Sequence, residues 1–147
     1  MNHPQHFIVR YPDFVDEIIT DCVVCKATAG VAQGMEVPVQ ITCKALWDTG
    51  ATNSMITERV IRALGLKAVT FATVYHAGGQ SEAAGFNVYI CLSKDILIGP
   101  LQVIEGQLEG IDVLIGMDII GIGDFIVTNN ADHTEFSYTT PSVFNIE

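Results

Sequence analysis

An aspartate at position 48 ends an apolar stretch and is followed by Thr49 and Gly50. Desolvating a carboxylate beside a dry strand is costly, so one placed there has a turn to make or a reaction to run. As a turn residue it would accept a backbone N–H two positions on. As a reacting group it is a general base or acid, with Thr49 adding a hydroxyl and Gly50 the freedom for a tight backbone bend. Most other catalytic patterns are absent from the sequence. There is no glycine-rich loop ending in Gly-Lys-Ser/Thr, no His-Glu-x-x-His and no Gly-x-Ser-x-Gly. Phosphoryl transfer through an aspartyl phosphate lacks the neighbouring Lys and the Mg²⁺ carboxylates it requires.

The remaining reactive side chains have plainer readings. Of Cys22, Cys25, Cys43 and Cys91 only the first two are closely spaced, and no second pair follows, so neither zinc nor any other metal is expected. Cys22-Val23-Val24-Cys25 lies in a β-like stretch, where residues three apart point to opposite faces; buried, reduced thiols fit better. His76 is expected to face solvent, and His3, His6 and His133 fall in a tail and a turn. Asp118 is expected to cap a following helix, Asp112 and Asp124 to be loop-edge charges, and Trp47 to serve core or interface packing.

Several elements must hold Asp48 in place. Residues 18–28 are β-branched enough for a strand, with Gly30 and Gly34 marking the turn after it. Val39, Ile41, Cys43 and Ala45 alternate with Gln40, Thr42 and Lys44, the period of a strand with one dry face, which runs directly into Trp47 and Asp48. A short helix is predicted from Thr57 as N-cap, with Val60, Ile61 and Leu64 on one stripe and Gly65 closing it. Strands over 69–75 and 86–92 flank the small residues 77–85, which predict a mobile hairpin tip. Further strand pieces lie at 101–104 and 111–115, the latter apolar enough to be covered on both faces. A second short helix starts near Gly116, and strands 125–128 and 134–138 enclose a turn at 129–133. The sum is mainly β with one or two short helices.

Length and charge narrow the function. A chain of 147 residues is one ordinary domain that buries roughly two-thirds of its unfolded surface. We divide it into an N-terminal arm (1–15) whose order depends on docking, the domain proper (16–140) and a C-terminal tail (141–147). Seven Lys and Arg against seventeen Asp and Glu give a net charge of −10, which argues against nucleic acid and against anionic membranes as partners. Acidic residues interrupt every apolar run before it reaches spanning length, and residues 1–6 lack the pattern of a secretory signal. A cytoplasmic location is expected.

Context gives Asp48 its meaning. The stretch Lys44-Ala45-Leu46-Trp47-Asp48-Thr49-Gly50-Ala51-Thr52-Asn53-Ser54 resembles the active-site segment of the retropepsins, the single-lobe aspartic proteases of retroviral type. Val113-Leu114-Ile115-Gly116 is similar to that family's later hydrophobic-hydrophobic-Gly element, and the glycine-tipped hairpin stands where the family has its flap. Thr52 and Asn53 replace the two acidic residues of many viral members, making the segment more like cellular and bacterial relatives. The resemblance implies a retropepsin-like closed β-barrel with a flap, and an aspartic endopeptidase working without metal or cofactor.

Peptide hydrolysis of this kind takes two carboxylates sharing one proton, and the chain holds a single Asp-Thr-Gly. A second chain must supply the other, which implies a C2 homodimer with Asp48 facing Asp48 of its partner. The resemblance implies that Asp48, Thr49 and Gly50 form the catalytic loop, Thr49 gripping the partner's loop. Ala51 and Leu114 would wall the substrate subsites, and Ala77, Gly78 and Gly79 would close over a peptide or protein substrate. The closing hairpin is a candidate for the dimer interface. A catalytically silent homodimer, binding peptides or only assembling through the same cleft, is the alternative.

Overall fold

The computed structural model describes residues 3–27 and 39–144. In chain order the elements are β1 (Gln5–Arg10), β2 (Ile19–Lys26), β3 (Gln40–Trp47), β4 (Met55–Ile56), α1 (Glu58–Leu64), β5 (Thr70–His76), β6 (Gly79–Ser93), β7 (Ile96–Glu105), β8 (Val113–Ile115), α2 (Met117–Ile120), β9 (Asp124–Asn130) and β10 (His133–Thr140). The turn expected at Gly30 and Gly34 lies outside the described residues.

Strands β2, β3, β8, β4, β7 and β6 lie side by side, and β6 pairs back onto β2, closing a six-stranded barrel. The alternation in β3 holds from Ile41 on: Ile41 is partly buried and Cys43, Ala45 and Trp47 are buried, while Gln40, Thr42 and Lys44 face water; Val39, expected on the dry face, precedes the strand and is exposed. All three residues of β8 are buried, as a strand covered on both faces requires. It runs parallel to β3 and antiparallel to β4. Valines and isoleucines of these strands fill the interior, with Val60 and Leu64 of α1 capping one side.

Helix α1 occupies the expected span, and Gly65 ends it in the left-handed region at φ 61°. Thr57 holds the N-cap position but its hydroxyl does not cap. It donates instead to Asp112 Oδ1 at 2.6 Å, and Arg59 reaches the other oxygen of the same carboxylate at 2.6 Å. Asp112 is therefore a half-buried anchor between α1 and β8, where the sequence suggested a solvated loop charge.

Two other expectations are corrected. Residues 77–85 do not form an extended tip: β5 and β6 pair from Thr70↔Gly85 to His76↔Gly79, leaving only Ala77 and Gly78 as the link. The small residues suit bulky cross-strand neighbours. Phe71 sits opposite Ala84, and a Cβ on Gly85 would lie 2.7 Å from the Thr70 methyl. The closing hairpin likewise turns on Ala131 and Asp132 alone, with Ala131 at φ 39°.

The N-terminal stretch is docked on its own chain. Strand β1 pairs with β10 from Gln5↔Thr140 to Arg10↔Glu135, giving a three-stranded sheet in the order β1-β10-β9. This sheet is bonded to the barrel by an aromatic cluster. Trp47 contacts the rings of Phe136 and Tyr138 at 4.9 and 5.0 Å, and Phe7 and Phe125 complete the group. The buried indole N–H donates to Thr20 Oγ1 at 2.9 Å, so Trp47 is core packing, as expected. Among the described residues no helix is long and apolar enough to cross a membrane.

Candidate active site

The last turn of the β3 ladder delivers Asp48. Its N–H donates to Ile115 O at 2.8 Å, extending the parallel pairing with β8 by one bond. The chain then bends: Gly50 N–H donates to Asp48 Oδ1 at 2.8 Å, and Ala51 N–H to Asp48 O at 3.2 Å. The plainer reading of the tripeptide holds locally, since this is an Asx turn, and Asp48 is half-buried in it. A Cβ on Gly50 would come within 3.2 Å of Asp48 Oδ1, which suits a residue without one. Thr49 and Gly50 are exposed.

The loop from Asp48 to Ser54 is clamped from behind by the chain leaving β8. Met117 N–H donates to Ala51 O at 2.7 Å and Asp118 N–H to Thr52 O at 3.2 Å. Gly116 N–H donates to Ser54 Oγ at 3.1 Å. The approach is close enough that a Cβ on Gly116 would meet Ala51 O at 2.8 Å and Asn53 C and O at 2.9 Å. The Asp118 carboxylate accepts the N–H and the hydroxyl of Ser54 at 2.9 and 2.7 Å. It also accepts the Ile119 N–H of α2 at 2.9 Å. The helix-capping role read from the sequence is not what Asp118 does: it lies inside α2, whose N-cap position is Gly116 with no side-chain cap, and its carboxylate serves the loop. Its partner lies 64 residues away, beyond any local signal.

A cleft of about 410 Å³ opens in front of the loop. Its floor is residues 50–53, its far wall is residues 73–75 of β5, and Met55 and Ile104 lie at its base. Of the residues singled out in the sequence, Asp48, Thr49, Gly50 and Ala51 come together in one loop, with Gly50 and Ala51 facing this cleft. Leu114 lies behind the loop, buried in β8 between Leu46 and Met55. Ala77, Gly78 and Gly79 sit exposed at the end of the β5–β6 hairpin. Thr73, Val74 and Tyr75 were not singled out; Tyr75 is 78% exposed. A larger depression of about 730 Å³, bordered by Glu58, Glu82, Glu105 and Asp112, includes none of the loop.

The other candidates separate from this site. Cys22, Cys25 and Cys43 are buried and Cys91 is partly so, all as free thiols. Burial pushes the Cys22 and Cys43 thiols upward, and burial with the neighbouring Cys91 pushes Cys25 up to about 11. Among the described residues no group of His, Cys, Asp and Glu is arranged to hold a metal ion. His76 is exposed, its Nδ1 accepting the Gly78 N–H at 3.2 Å. Asp124 is a corrected case: it accepts the Ser142 hydroxyl and the N–H groups of Val143 and Phe144 at 2.7 and 3.1 Å, fastening the C-terminal segment.

A family model described as "gag-polyprotein putative aspartyl protease" matches residues 36–121, a span that contains both the Asp48 loop and the Gly116 clamp. Among solved structures, a retropepsin-like aspartic protease from Rickettsia conorii aligns with a TM-score of 0.55 at 15% identity, covering 95% of this chain and 98% of its own. That likeness is one of fold. The retroviral protease-like domain of Ddi1 from Leishmania major aligns with a TM-score of 0.49 at 20% identity, over 83% of this chain and 94% of its own. No curated protein matches the chain. Since the family match spans more than half of the sequence and includes the aspartate loop with its clamp, the chain belongs to the gag-polyprotein aspartyl protease family and is retropepsin-like in fold.

Proposed function

We propose that the protein is an aspartic endopeptidase that works as a C2 homodimer, with Asp48 of one protomer facing Asp48 of its partner. The observation that carries this reading is a half-buried aspartate in a loop bonded from behind by residues 115–118, the next residues of which, Gly50 to Asn53, line a cleft. A single carboxylate can take a proton from water but cannot also protonate the carbonyl it attacks. Two carboxyls sharing one proton do both.

The ionised Asp48 takes a proton from the bound water, whose oxygen adds to the scissile carbonyl carbon. The protonated Asp48 gives its proton to the carbonyl oxygen. The resulting gem-diol collapses as a diol proton returns to carboxylate, the amine leaves with a proton from the other carboxyl, and the dyad regains its starting state. The dyad works with one proton held between its two carboxyls, and activity is expected in mild acid. Thr49 grips the partner's loop across the axis, and Gly50 accepts a substrate backbone bond at close range. Ala51 walls a subsite, Leu114 backs the loop from β8 rather than lining the cleft, and Ala77, Gly78 and Gly79 close over an extended peptide bound by strand-like hydrogen bonding.

The test is cleavage of a diverse peptide library between about pH 4 and pH 7, with Asp48→Asn assayed beside the native chain and the assembly state followed by sedimentation. Cleavage abolished by the substitution and by statine-type peptide inhibitors is expected. Mixed dimers of native and Asp48→Asn chains should also be inactive. Cleavage that survives Asp48→Asn overturns the mechanism; a dimer that cleaves nothing points to the silent binding module.

A further inference from the structure

We propose that Asp118 is a positioning residue for the reaction: its carboxylate, by taking both the backbone N–H and the hydroxyl of Ser54, fixes the far end of the loop that presents Asp48. The inference rests on the protease reading for its catalytic readout, although the loop geometry it invokes is independent of that reading.

Three observations carry it. First, the two Asp118 oxygens receive two donors from one residue, Ser54 Oγ–H at 2.7 Å and Ser54 N–H at 2.9 Å. A carboxylate is the side chain suited to this, being acceptor-only with two oxygens, and its bonds are charge-assisted. Second, Ser54 is fully buried and its oxygen, while donating to Asp118, also accepts the Gly116 N–H, so the junction links the loop to residues 116 and 118 through one buried hydroxyl. Third, the opposite end of the same loop is fixed by Asp48 N–H on Ile115 O. Residues 115–118 therefore hold both ends of a seven-residue loop, and only the far end depends on a side chain that substitution can remove.

Removing that acceptor should loosen residues 50–54 while leaving the barrel alone. A dyad whose carboxylates must meet across a symmetry axis is sensitive to such slack, since misplacement of a reacting group by about 1 Å costs on the order of 10²-fold in rate. Asp118→Ala removes all three acceptor contacts. Asp118→Asn keeps one acceptor oxygen and turns the other into a donor facing Ser54 or Ile119, so it should fall between the alanine variant and the native chain. Ser54→Ala tests the hydroxyl alone.

The experiment measures kcat, KM and the acid limb of the pH profile for these three variants and for the Asp118→Ala/Ser54→Ala double variant, at a temperature where each is folded. Amide hydrogen exchange at residues 50–54 is followed alongside. We expect kcat to fall about 10²-fold in Asp118→Ala, with KM little changed and the acid limb displaced. The double variant should be no worse than Asp118→Ala, because the two groups act as one unit. Exchange should quicken at Ser54 and its neighbours and not at core positions such as Ile90 and Val103. Native kcat in both Asp118 variants overturns the inference, as does a loss that merely tracks global unfolding or that adds fully in the double variant. If the native protein cleaves nothing, the protease reading fails by itself. The positioning role is then decided by exchange, and unchanged protection at Ser54 in Asp118→Asn and Asp118→Ala overturns it.

Discussion

Gly116 offers a direct test of how tightly the Asp48 loop is held. Its backbone lies at φ −100°, ψ −168°, extended geometry open to any residue, so what excludes a side chain is space alone. In Gly116→Ala the new methyl would stand 2.8 Å from Ala51 O and 2.9 Å from Asn53 C and O, whereas ordinary contact begins near 3.4 Å. Strand β8 cannot yield, being paired on both edges, so the loop must retreat by roughly half an ångström. That stretches Asp118 N–Thr52 O from 3.2 Å and Gly116 N–Ser54 Oγ from 3.1 Å, past the range of useful hydrogen bonds. Overpacking costs about 1–3 kcal/mol and each lost bond about 0.5–1.5 kcal/mol. With two bonds lost the variant should thus lose about 2–6 kcal/mol, a large part of a typical domain's stability, so turnover is read at a temperature where the variant is folded. Urea denaturation gives the stability, and turnover of a fluorogenic peptide gives kcat, expected to drop about 10²-fold. A variant within about 0.5 kcal/mol of the native chain that retains full turnover would refute the claim that this contact sets the loop.

Three further outcomes are expected. Phe136 is fully buried with Trp47 and Phe125 rings at 4.9 and 5.0 Å, so Phe136→Ala should cost about 3–5 kcal/mol in urea denaturation, and a loss near zero would mean that the three-stranded sheet is not packed on the barrel. The Ser142 hydroxyl and two N–H groups hold the Asp124 carboxyl below its ordinary value. A depressed folded value contributes stability above the usual Asp range that is lost as pH falls through it, so amide protection at Val143 and Phe144 should fade on acidification and be absent throughout in Asp124→Ala. Native alkylation near neutral pH should label Cys91, and denaturant should be needed before Cys22, Cys25 and Cys43 react, because burial raises their thiols and hides them; mass spectrometry of labelled peptides decides this.

How much of this could be seen in the sequence depends on distance along the chain. The period-2 pattern of β3, the apolar run of β8 and the glycine after α1 are local, and each forms the element expected. So is the Asp48 turn, whose Oδ1 partner is two residues away. The carboxylates were misjudged where their partners are remote. Asp112 reaches Thr57 across 55 residues and Asp118 reaches Ser54 across 64, so local reasoning offers only solvation or capping for either. The run of small residues after Gly79 misled for another reason. Glycine, alanine and serine signal a loop when nothing opposes them, but opposite Phe71 and Thr70 they are the complement of larger side chains. The cleft wall on β5 comes from its pairing with the first half of β6, beside the barrel, a placement that no short motif encodes.

The pairing of β1 with β10 also has a consequence for how the molecule comes into being. Arg10 finds Glu135 across 125 residues, so during synthesis from the N-terminus Phe7 emerges long before Phe136 exists to cover it. Closing so wide a loop is slow compared with forming neighbouring hairpins. Within this domain β1 is made before the other described strands yet is seated only once β10 exists, and until then Phe7 lacks the rings that cover it.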